Sequence, residues 1–158
     1  MDDVALARVL HVIGVVWWIG GVAMVTTVLL PAVRRFTAPA ERLAFFDALE
    51  RRFAAQARIA TLVVGLSGLY TLARLDLWDR FAEASYWWMH AMVALWAIFS
   101  LMLFVLEPLV LHRWFEERAR RAPEATFALV ARLHAVLLAL SLVTVAGAVA
   151  GAHGWLPL

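Results

Sequence analysis

Three histidines, His11, His90 and His134, fall inside long apolar stretches of the chain rather than in the polar segments between them. An imidazole in a hydrocarbon environment is costly without a partner, so each of these positions is a candidate site. The chain has no cysteine, which excludes disulfides, thiolate metal sites and cysteine nucleophiles and leaves His, Met and carboxylate as metal ligands. At a rise of about 1.5 Å per residue, His11 lies roughly 10 Å and His90 roughly 8 Å inside their apolar stretches. Two inward imidazoles at matched depth can clamp a planar metal macrocycle. Ligation of haem b by His11 and His90 is therefore the leading reading, with both residues as metal ligands.

The residues around His11 suit such a ligand. Positions three and four apart share one side of a helix, and that side carries Arg8, His11, Gly14, Trp18 and Gly21. Gly14 leaves room for a flat ring, Trp18 can pack on it, and Arg8 is one turn outward, placed to meet a propionate. The second apolar stretch carries Arg58, Thr61, Gly65, Gly68 and Leu72 with similar spacing. Toward the opposite end lie Arg58, Glu107, Arg132 and His134. The simplest reading of these is a charge-compensated cluster, and its alternatives are proton uptake, propionate binding by the arginines, or a further ligand at His134. His134 and His112 differ in depth, which argues against a second bis-histidine pair. The glycines also suit plain helix packing, and a histidine can be satisfied by hydrogen bonds across a core.

Copper is the alternative cofactor, because Met89 and Met92 flank His90 and thioether with imidazole suits Cu(I). Adjacent residues on a helix point in different directions, however, so Met89 and His90 cannot both aim inward. A ladder of such ligands through a membrane is absent.

The elements that must position these groups follow from composition. Of the 158 residues, 65% are hydrophobic and eight are tryptophan, and the mean hydropathy is +0.82. That balance belongs to an integral membrane protein. Apolar spans are read at about 4–33, 53–75, 85–112 and 126–152, against the roughly 20 residues that cross a bilayer. The second is short between Arg58 and Arg74, so one or both arginines must snorkel or be paired. Short connections imply an all-α, antiparallel four-helix bundle forming one domain over residues 1–158. Residues 37–52 read as an amphipathic helix on the membrane surface.

Every one of the fourteen basic residues is arginine. Arg34, Arg35, Arg42, Arg51 and Arg52 precede the second span, and Arg113, Arg118, Arg120 and Arg121 precede the fourth. The positive-inside rule makes that side cytoplasmic and places both termini outside, in a bacterial-type inner membrane. The sequence pI of 9.9 then reflects topology, with no nucleic-acid partner implied. Gly147 and Gly151 form a small-residue pair that lets a neighbouring helix, or a second copy in a homo-oligomer, approach closely.

The run Leu10-His11-Val12-Ile13-Gly14-Val15-Val16-Trp17-Trp18-Ile19-Gly20-Gly21 resembles the first helix of CopD-like and HemJ-like membrane proteins, where a histidine is followed by tryptophan and small residues. Arg58 through Thr61, Gly65, Gly68 and Tyr70 is similar to the arginine and glycine-bearing helix of the same group. The resemblance covers most of the chain in topology, and its specific motifs lie in these two helices. It implies either copper handling, as in CopD-like proteins, or haem b and protoporphyrinogen oxidation, as in HemJ-like proteins. The HemJ-like pattern has a third-helix lysine, whereas this chain has no lysine and carries His90 in that region. That departure argues against protoporphyrinogen oxidation and for a second axial ligand.

Taken together, these features lead us to expect a membrane haem b protein within the lipid bilayer, serving electron transfer or acting as an oxidoreductase to or from a quinone or a redox partner. A copper-handling membrane protein and a non-catalytic scaffold subunit are the alternatives.

Overall fold

A computed structural model describes residues 3–155. Helix α1 (Asp3–Met24) continues through a π-helical turn, Val25–Leu29, into α2 (Leu30–Phe36). Helix α3 (Arg42–Arg74) is followed by two 3-10 turns, Trp78–Ala82 and Ala84–Tyr86, and then by α4 (Trp87–Leu101). A second π-helical segment, Met102–Leu111, leads into α5 (His112–Arg121), and α6 (Pro123–Ala152) completes the chain. No strand occurs among the described residues. Four helices are long and apolar enough to cross a membrane: Asp3–Phe36, Arg42–Arg74, Ala84–Val110 and Pro123–Ala152.

Both π-helical segments have the same local cause. Proline has no N–H, and its ring collides with the carbonyl four residues back, so an uninterrupted α-helix cannot pass through it. Pro31 follows the first segment and Pro108 lies inside the second. The helix widens there instead of breaking, and Leu30 donates its N–H five residues back, to the Val25 carbonyl. Gly154, at φ 70°, ends α6, and Trp155 N–H reaches back to the Ala150 carbonyl at 2.9 Å.

The second long helix departs from the sequence expectation. Residues 42–52 are not a separate helix on the surface but the first three turns of α3. Leu, Ala, Glu and Arg all favour helix, so the charges that end the apolar window do not end the hydrogen-bonded ladder. Phe46 from this extension is only 1% exposed and packs with Val25, Leu30, Val33, Phe127 and Val130.

A second core lies nearer the middle, where Trp18, Ile19 and Val22 of α1 meet Ala60 and Val64 of α3, Leu95 and Phe99 of α4, and Leu138 of α6. α1 packs most extensively on α3, and α4 on α6. Large apolar side chains also remain outside, among them Val16, Trp17, Leu66 and Val143.

The Gly147/Gly151 face of α6 is filled within the chain. A Cβ at Gly147 would collide with the Trp87 indole, and one at Gly151 with the Trp88 indole. The small residues thus seat two rings of α4.

Candidate functional site

His11 is half-buried between α1 and α3. Its Nδ1 stands 3.0 Å from the Val64 carbonyl and 3.3 Å from Ser67 Oγ. The ring lies against Gly68, where a Cβ would come within 3.1 Å of the His11 Cε1. The Ser67 hydroxyl also donates to the Val63 carbonyl. Because a carbonyl can only accept, His11 Nδ1–H donates a hydrogen bond to Val64 O, which fixes the tautomer and leaves the Nε2 lone pair available. Nε2 has no hydrogen-bond partner among the described residues. A carbonyl on the distal nitrogen is the arrangement that orients metal-ligating imidazoles.

A shallow apolar groove lies between α1 and α3, with Leu6, Leu10, Val63 and Leu66 on its walls; His11 does not line it and adjoins it through Ser67. The groove's lip near Asp3 and Tyr70 is polar. Tyr70 Oη donates to Asp3 Oδ2 at 2.7 Å, and Arg74 Nη2 reaches the same oxygen at 3.1 Å.

His90 has different surroundings. It is exposed, with Nε2 3.0 Å from the Phe81 carbonyl and Nδ1 3.4 Å from the Tyr86 carbonyl, and its ring lies edge-on to Phe81. The neighbouring Trp88 and Met89 take the buried face. The structure therefore does not bring His11 and His90 to common neighbours, and neither His90 nitrogen presents a lone pair to the core. The space expected for a ring clamped between them is also filled. Gly14 packs against Val64, and Trp18 is 3% exposed with its indole edge-on to Phe99 at 4.7 Å. A macrocycle held by both histidines does not fit this packing, whereas His11 alone retains the chemistry of one axial ligand.

Arg8 is exposed and makes no ion pair among the described residues. Burial of Met89 with exposure of His90 separates the thioether from the imidazole, as their adjacency requires. No group of three or more His, Asp or Glu side chains converges as a metal cage among the described residues. The side chain of His112 lies outside the described residues.

A second polar constellation lies around Arg58 and His134. Arg58 Nη2 lies 3.2 Å from Glu107 Oε1, and Arg58 Nε donates to the Leu103 carbonyl at 3.0 Å. His134 Nε2 is 3.4 Å from Glu50 Oε1, its Nδ1 is 3.0 Å from the Val130 carbonyl, and its ring stands edge-on to Phe46. Glu107 is within electrostatic reach of Arg58, Glu50 and Asp47. The charge-compensated cluster expected from Arg58 and Glu107 is thus present, and His134 adjoins it through Glu50. Arg132 is exposed.

Glu50 was not among the residues singled out from sequence, because it lies in the segment read as a surface helix. Its signal was present nonetheless. Glu50 is two turns before Arg58, and helix-favouring residues connect the two without a break.

No protein-family model, curated protein or solved structure matches this chain.

Proposed function

We propose that this chain is an integral membrane protein, an antiparallel four-helix bundle of the cytoplasmic membrane, that binds haem b through His11 and passes electrons to or from a quinone or a redox partner. The observation that carries this reading is the His11 Nδ1 contact with the Val64 carbonyl at 3.0 Å, which keeps the imidazole in a ligating tautomer. Bound haem would supply one-electron chemistry. The chain supplies the ligand at His11, the ring orientation through Val64 and Ser67, and the close seat at Gly68. Arg8 is an exposed guanidinium one turn from His11, suited to a carboxylate partner, whereas Arg74 already holds Asp3.

The bilayer assignment rests on the four long apolar helices and on the large apolar side chains they leave exposed. Arginines before the second and fourth spans favour both termini outside. The first-helix likeness to CopD-like and HemJ-like proteins supports a metal-centred role.

The test is an oxidised-minus-reduced visible spectrum with a pyridine haemochrome assay on detergent-purified protein. Low-spin or high-spin b-type bands are expected in the wild type, lost in His11→Ala and kept in His90→Ala. In Gly68→Ala they should be shifted, because the added Cβ presses on the imidazole. Haem content unchanged in His11→Ala would overturn the assignment. A colourless wild type expressed with ample haem would do the same and direct the next analysis to copper.

A further inference from the structure

The connection between the third and fourth apolar helices carries a notch of about 270 Å3 at the end of α5, lined among the described residues by Trp114, Glu117, Arg118, Arg121 and Ala122. Spacings of three and four residues put the first four of these on one face of α5. Phe115 lies on another face and packs against the core that contains Phe46 and Phe127. The helix is thus held on the bundle while Trp114, Glu117, Arg118 and Arg121 stay exposed.

The lining has a definite chemistry. Arg118 stands over the Trp114 ring, its Cζ 5.4 Å from the centroid, and neither Arg118 nor Arg121 makes an ion pair among the described residues. Two guanidinium groups one turn apart offer the forked donors that grip a phosphate. With Glu117 the only carboxylate of the lining, the notch keeps one net positive charge, the complement of a monoanionic phosphodiester. An ionised carboxylate only accepts hydrogen bonds, so Glu117 suits a headgroup that carries hydroxyls. Trp114 lies four residues beyond Val110, where the third apolar helix ends, and tryptophan is enriched at that level of a bilayer. The indole therefore favours a lipid over a soluble phosphate.

We propose that the notch on α5 binds the headgroup of one phosphatidylglycerol-type lipid. Arg118 and Arg121 take the phosphate, the headgroup hydroxyls donate to Glu117, and the Trp114 indole packs at the level of the glycerol esters. The site rests on the bilayer reading and is independent of a cofactor at His11. Its consequence is a lipid fixed at the arginine-rich connection, beside the π-helical segment that leads into α5.

Native mass spectrometry of the detergent-purified chain, titrated with defined lipids, tests this. Phosphatidylglycerol should bind the wild type more tightly than phosphatidylethanolamine, and inorganic phosphate should not displace it. Removing both guanidinium groups in Arg118→Gln/Arg121→Gln should weaken phosphatidylglycerol by about tenfold or more. Arg113→Gln/Arg120→Gln removes the same charge from exposed positions outside the notch and should change binding by less than about twofold. Phosphatidylmethanol has the same charge without headgroup hydroxyls. It should bind the wild type less tightly than phosphatidylglycerol, and the two should become equal in Glu117→Ala. Equal losses in the two arginine pairs would mean diffuse attraction and overturn the site, as would displacement by inorganic phosphate or equal binding of phosphatidylethanolamine. These outcomes leave the bilayer reading intact, whereas a chain that is monodisperse without detergent would overturn both.

Discussion

Arg58 donates its Nε–H to the Leu103 carbonyl at 3.0 Å, across the interface between α3 and the π-helical segment that follows α4. In the π register, the Leu103 oxygen would accept from the residue five positions on, which is Pro108, and proline has no N–H. A side chain from another helix thus occupies the acceptor that the proline orphans. The other arm of the guanidinium holds Glu107, the residue directly before that proline.

One prediction concerns this division of labour. Arg58→Gln should destabilise by about 2 kcal/mol, the scale of hydrogen bonds to charged groups. Lysine should not rescue it, because a single ammonium cannot serve both the carbonyl and the carboxylate. Pro108→Ala restores the missing N–H, so the cost of Arg58→Gln should drop by about 1 kcal/mol in that background. A double-mutant cycle by thermal unfolding in detergent would show it; strict additivity would mean that the carbonyl contact contributes nothing.

The glycines of α6 give a graded expectation. Gly151→Leu forces a side chain onto the buried Trp88 indole and should cost about 1–3 kcal/mol, as overpacking does. Gly147→Leu meets Trp87, which is 41% exposed and can swing aside, so its cost should be smaller. Light scattering should find the oligomeric state unchanged in both variants, since the glycines serve contacts within one chain. A change of assembly in Gly151→Leu with no loss of stability would contradict this reading.

The orientation is testable because the chain has no native cysteine. Asp79 and Arg118 are exposed in the connections on opposite sides of the third span. Asp79→Cys should react with a membrane-impermeant maleimide in intact cells, and Arg118→Cys only after permeabilisation. The reverse pattern would place the arginine-rich side outside.

Much of the fold was legible because apolar composition over a long run is a one-dimensional property. Spans read at 4–33, 85–112 and 126–152 correspond to helices Asp3–Phe36, Ala84–Val110 and Pro123–Ala152. The reading near 53–75 found the apolar part of Arg42–Arg74 but not its start, because Arg51 and Arg52 interrupt hydropathy without interrupting backbone hydrogen bonds. The same misreading concealed Glu50 as the partner of His134. Adjacency in sequence did foretell one feature of the site, since Met89 and His90 had to diverge, and one is buried while the other is exposed.

By itself the sequence determined an all-helical chain with four long apolar stretches, the connections in which arginines gather, and the position of each histidine along its stretch, because length, charge and rise per residue depend on no neighbour. Tertiary structure decided where each imidazole points and what fills the space beside it. Successive residues turn by about 100° around a helix, and depth carries no information about that angle. Thus His11 and His90, read at similar depth, face different partners: the carbonyl of Val64 on the opposing helix for one, and the carbonyl of Phe81 on the preceding turn for the other.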